Sequence, residues 1–123
     1  MTDAAHEPIT IFHNPRCSKS RQALELIEAQ GEPYVVIEYL QAPPDRTTLE
    51  GIVAKLDTPP VDLVRTSDPA FLDLGLDTAS LTTSASVVDL LVAHPEVMQR
   101  PVVVREGKAV IARPPELVAQ VLD

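Results

Sequence analysis

Apolar and polar positions change period several times along the chain, and each change marks an element. Residues 9–13, Ile-Thr-Ile-Phe-His, are β-branched and aromatic and predict a short strand. From Ser18 to Gln30 the period lengthens: Ala23, Leu24 and Ile27 fall on one helical face, widened by Leu26. Gly31 then stands where a left-handed cap ends a helix, and Pro33 forbids its continuation. Residues 34–39, Tyr-Val-Val-Ile-Glu-Tyr, are almost continuously apolar, which predicts a second strand buried on both faces. Strand, helix and strand in so short a span form a βαβ unit, whose two strands run parallel.

The middle of the chain keeps the helical period. After Pro43-Pro44, Thr47 and Glu50 match a capping box, and Leu49, Ile52, Val53 and Leu56 share a face. Pro59-Pro60 sets off a short segment at 61–65, and a short helix at 69–74 ends at Gly75. A further helix begins at Ser84 or Ser86, presents Val87, Leu90 and Leu91, and stops at Pro95. Strand patterning then returns at 102–105 and 108–112 around Glu106-Gly107, a β-hairpin signal. Pro115 suits the first turn of a last α-helix whose apolar face is Leu117, Val118, Val121 and Leu122. The order β-α-β, several helices, β-β-α predicts an α/β fold with a mixed four-stranded sheet. A thioredoxin-like domain is the leading architecture of that order. The expected organisation is one domain over 1–123, with a helical insert at about 45–99 packed on one side of the sheet.

Composition narrows the function. The chain has 123 residues, 45% hydrophobic, enough for one core without metal or disulfide staples. Eighteen acids against ten bases give a net charge of −8. With no basic block, binding to nucleic acid or to an anionic membrane is not expected. Between Thr66 and Gln99 there are five acids and no Lys or Arg. No long uncharged apolar run predicts a membrane span, and the start, Met1 to Pro8, lacks the basic and apolar regions of a signal peptide. A cytoplasmic monomer is expected. His6, His13 and His94 are too scattered to suggest zinc, so neither a metal nor a bound cofactor is expected.

Chemistry concentrates at the single cysteine, Cys17. It falls between the first strand and the first helix, where unpaired N–H groups and the helix dipole favour an anion. Arg16, Lys19 and Arg21 surround it, and His13 precedes it by four residues. All favour the thiolate, which is the nucleophile. Ser20, one turn on, is expected to donate its hydroxyl hydrogen to the sulfur. A lone cysteine is often a buried structural residue, but its place at a helix start within a basic cluster favours reactivity. Ser20 stands where a C-x-x-C motif has its second cysteine, so oxidation needs a thiol from outside the chain. Position 23 is Ala, where a cysteine phosphatase loop needs a base. Arg65, Arg100 and Arg113 fall at element boundaries. Each alone reads as a solvated charge, but Arg100-Pro101 stands where a thioredoxin-like fold has a cis-proline facing the cysteine. Several arginine forks beside a thiolate suit an oxyanion substrate.

The segment His13-Asn14-Pro15-Arg16-Cys17-Ser18-Lys19-Ser20-Arg21 resembles the H-N-P-x-C-x-x-S-R signature of the glutaredoxin-coupled arsenate reductases, a thioredoxin-like family. Arg100-Pro101-Val102-Val103 is similar to its R-P-I/V-V segment, Arg113-Pro114 to its later R-P pair, and Leu63-Val64-Arg65 with 72–76 to its stretch ending in E-L-G-L. The resemblance covers about residues 9–122. It implies Cys17 as the nucleophile, with His13 supporting its ionisation and Ser20 near the sulfur. It also implies Arg65, Arg100 and Arg113 as the oxyanion-binding set. Arsenate would be the substrate, glutathione or an equivalent thiol the co-substrate, and glutaredoxin the partner. The chain ends soon after its last helix, which makes it look closer to the short chromosomal members than to those with a longer tail. Two other readings use the same residues. A monothiol glutaredoxin-like thiol-transfer protein would use Cys17 without three arginines, and an Spx-like RNA polymerase-binding regulator would ordinarily carry C-x-x-C.

Overall fold

The computed structural model describes residues 7–122. His6, most of the segment read for a signal peptide, and Asp123 lie outside the described residues. Two compact units are present, one formed by 1–38 with 100–123 and the other by 39–99.

The first unit holds the sheet. Strand β1 (Ile9–His13) leads to helix α1 (Ser18–Gln30) and strand β2 (Tyr34–Glu38), and a hairpin of β3 (Val102–Arg105) and β4 (Lys108–Ile111) completes it. The order is β2-β1-β3-β4. β1 runs parallel to β2, with Ile9 opposite Tyr34 and His13 opposite Glu38, and antiparallel to β3. This is the expected mixed sheet. Ile9, Ile11, Ala23, Ile27, Val103, Val110, Ala112, Val118 and Val121 form its core. Gly31 ends α1 at φ 72°, as its position predicts.

Three expectations in this unit need correction. β2 is exposed: Tyr34, Val35 and Val36 are 37, 48 and 37% exposed. It is the sheet's edge, bonded to β1 alone, and its apolar run reflects β propensity rather than two covered faces. It also ends at Glu38, one residue early. The last helix, Pro115–Val121, is 3-10 rather than α. Its buried residues, Pro115, Val118 and Val121, repeat every three positions, as three residues per turn require.

One feature had no sequence signal. Arg105 closes β3 and is only 6% exposed. Its Nε donates to the Glu7 carbonyl and its Nη1 to the Val121 carbonyl, both at 3.0 Å, while Nη2 pairs with Glu32. A single guanidinium thus ties the chain's first described residue, the α1–β2 connection and the last helix to the hairpin.

The second unit is helical. It contains α2 (Arg46–Lys55), α3 (Pro69–Leu72) and α4 (Ser84–Ala93), with 3-10 turns at Pro60–Leu63, Thr78–Ser80 and Pro95–Val97. Leu49, Ile52 and Val53 are buried on α2, and Val87, Val88, Leu90 and Leu91 on α4. The cap of α2 is Asp45, whose side chain accepts from Thr48 N–H at 2.8 Å, so Thr47 and Glu50 form no capping box. Asp outcompetes Thr because its carboxylate reaches the N3 amide directly and complements the dipole. A capping box does occur at α4, between Thr83 and Ser86. Among the described residues no helix is long and apolar enough to cross a membrane.

Candidate active site

The turn from β1 into α1 fixes the cysteine. Asn14 shapes it twice: its side-chain Oδ1 accepts from Arg16 N–H at 2.9 Å and its carbonyl from Cys17 N–H at 3.0 Å. Cys17 is the N-cap residue of α1, with φ −96° and ψ 122°. Its carbonyl accepts from Arg21 N–H at 3.0 Å, while its side chain makes no capping bond. The sulfur therefore stays available at the positive end of a helix.

Cys17 is buried, and burial pushes its thiol up. That effect is overcome by the Ser20 backbone N–H, by the Arg100 guanidinium through a hydrogen bond and its charge, and by the Lys19 N–H. The net shift is downward, toward thiolate. Arg113 approaches from β4's end: its Nη1 lies 3.8 Å from Sγ and donates to the Arg100 carbonyl at 2.9 Å. Arg100-Pro101 is cis, as expected from its place before β3, and Arg113-Pro114 is cis as well, which had not been anticipated. The hairpin's two open ends thus bring Arg100 and Arg113 together at the sulfur.

Ser20 is near the sulfur in a different way from that expected. Its side chain is fully buried and its Oγ lies 2.7 Å from His13 Nδ1 and accepts from Asn14 N–H at 3.0 Å. The bond to sulfur comes from its main chain instead. At an N-cap the amides of the first turn face the capping atom, whereas Ser20's side chain leans back toward β1. His13 is also buried. Burial lowers its pKa, Glu38 raises it and Arg21 lowers it, leaving a net downward shift that favours the neutral ring. His13 meets Ser20, and through Ser20's bond from Asn14 N–H the loop that carries Cys17.

Arg65 belongs to the second unit. There Val64 bridges Met98, Arg65 N–H donates to the Val97 carbonyl at 2.8 Å, and Nη2 pairs with Asp68 at 2.6 Å. Asp68 caps α3 through Ala70 N–H at the same time. Among the described residues no group of three or more His, Cys, Asp or Glu is placed to hold a metal ion. Asn14 is the residue whose role the sequence hid: an Asn before Pro announces a turn, but not which amide its side chain will accept.

Comparison with known proteins agrees with this fold. The model of the ArsC family matches residues 12–121. An arsenate reductase of Neisseria meningitidis is 42% identical over 93% of this chain and 97% of its own length. An arsenate reductase of Escherichia coli is 34% identical over 93% of this chain and 80% of its own. The solved structure of an arsenate reductase from Vibrio cholerae superposes with a TM-score of 0.84 at 34% identity, covering 94% of this chain and 98% of that one. The mixed four-stranded sheet is that of a thioredoxin-like fold, and the chain belongs to the ArsC family.

Proposed function

We propose that this chain reduces arsenate to arsenite, using the Cys17 thiolate, a low-molecular-weight thiol such as glutathione, and glutaredoxin. The observation that carries the reading is the convergence of Arg100 and Arg113 on the Cys17 sulfur. One cation is enough to favour the thiolate of a thiol carrier, whereas a tetrahedral oxyanion matches two guanidinium forks. The names of the relatives support the same substrate.

Cys17 sulfur attacks arsenic and one arsenate oxygen leaves as water, protonated from solvent. Glutathione then replaces a second oxygen in the same manner, giving a Cys17–arsenic–glutathione adduct. A glutaredoxin thiolate attacks the glutathione sulfur, and the S–As electron pair stays on arsenic. Arsenic(V) becomes arsenic(III), while the two outside sulfurs become a mixed disulfide. Hydrolysis of the remaining S–As bond returns Cys17 and releases arsenite. The chain's single cysteine fits this sequence, since both electrons come from thiols elsewhere. His13 and Ser20 hold the loop that carries Cys17. We place the reaction in the cytoplasm, carried out by a monomer with no bound cofactor.

The test is arsenate-dependent NADPH oxidation coupled through glutathione, glutaredoxin and glutathione reductase. Turnover by the wild type that disappears in Cys17→Ser supports the proposal. Absence of turnover, with Cys17 still rapidly alkylated at neutral pH, overturns it.

A further inference from the structure

Arg16 and Lys19 flank Cys17 without belonging to the machinery described above. Both side chains are exposed, and among the described residues neither has an ion pair. Arg21 differs, because its Nη1 is engaged by the Pro15 carbonyl at 2.9 Å. The surroundings make these charges unusual. The chain carries a net −8, yet from Pro8 to Leu24 there is no acid and three bases. Backbone contacts hold both residues close to the sulfur. Arg16 N–H is pinned by Asn14 Oδ1, and Lys19 N–H is one of the groups that lower the Cys17 thiol. Arg100 and Arg113 act at the sulfur itself, whereas Arg16 and Lys19 are its exposed basic neighbours along the chain.

We propose that Arg16 and Lys19 form a charge filter that draws carboxylate-bearing low-molecular-weight thiols and their disulfides to Cys17 in preference to neutral or cationic ones. It rests on the reading of Cys17 as a nucleophile whose turnover needs an outside thiol. Two observations favour a small molecule over a protein thiol. Cys17 is only 9% exposed and needs a slender approach, and two solvated cations match the two carboxylates of a glutathione-like tripeptide. Exposed charges of this kind act through long-range attraction screened by salt, not through a rigid pocket.

The test needs no arsenate. Cys17 thiolate attacks a symmetrical disulfide, forming a Cys17–S–S–R bond, breaking the S–S bond of the reagent and releasing one RS⁻. Rate constants are measured by mass spectrometry with glutathione disulfide and with the neutral bis(2-hydroxyethyl) disulfide. Their ratio cancels any change in thiolate population. In Arg16→Gln/Lys19→Gln the ratio is expected to fall about threefold to tenfold at low ionic strength. The difference should vanish near 0.5 M salt, and Arg16→Lys/Lys19→Arg should keep the wild-type ratio. An unchanged ratio, an equal loss with both reagents, or no mixed disulfide with either would overturn the proposal. Selectivity without arsenate turnover would instead defeat the proposed function and leave the filter standing.

Discussion

The two ends of the β3–β4 hairpin both carry arginine, in opposite settings. At the turn end, Arg105 is 6% exposed and its nitrogens are committed to the Glu7 and Val121 carbonyls and to Glu32. At the open end, Arg113 is exposed, and among the described residues one bond, to the Arg100 carbonyl, accompanies its approach to Cys17. The same side chain is a structural tie at one end and an available donor at the other. The difference lies in what surrounds each guanidinium. Where acceptors converge, the fork is saturated; where a thiolate and open solvent meet it, the Arg113 fork stays exposed.

The largest separation of the two ends is expected in stability. Arg105→Ala leaves Glu32 and two carbonyls without their donor and should cost about 3–5 kcal/mol. Denaturant unfolding will show it, and the surviving folded fraction should keep wild-type Cys17 alkylation. Arg113→Gln, by contrast, should change stability by no more than about 0.5 kcal/mol. Equal losses at both positions would dissolve the contrast.

Next in size is the effect on turnover. Arg100→Lys keeps the charge but loses the planar fork, so arsenate turnover should drop about 10²-fold while the thiol titration barely moves. Near-normal turnover in the coupled assay would remove Arg100 from oxyanion binding. A smaller and mixed effect belongs to Ser20→Ala. Removing a buried hydroxyl strips a partner from His13 Nδ1 and Asn14 N–H, which should cost about 1–3 kcal/mol. Because the sulfur is bonded by the Ser20 main chain, not its hydroxyl, Cys17 alkylation should change little if the loop holds.

Much of this was legible in the sequence, for identifiable reasons. β1 and α1 were readable because their period and punctuation are local, with Gly31 and Pro33 fixing the helix end. Cys17 was readable because a nucleophile at a helix start needs only neighbours in sequence. What escaped depends on partners far along the chain. The apolar run of β2 announces a strand but not whether that strand is central or at the edge. The apolar set 117, 118, 121 and 122 fits an α-helix as well as 115, 118 and 121 fits a 3-10 helix, and packing against the core decides. Arg105 looked like a strand end, since Glu7 and Val121 lie 98 and 16 residues away. Ser20's direction was hidden because its partner, His13, belongs to the preceding strand.

Cys17 is a thiolate held by the open end of the hairpin, and its alkylation rate against pH tests that directly. The rate should rise to a plateau with a midpoint below the roughly 8.5 of a free thiol. It should fall as acid protonates the sulfur, and in Arg100→Gln the midpoint should move upward. A wild-type midpoint at or above about 8.5, or one that Arg100→Gln leaves in place, would contradict the account.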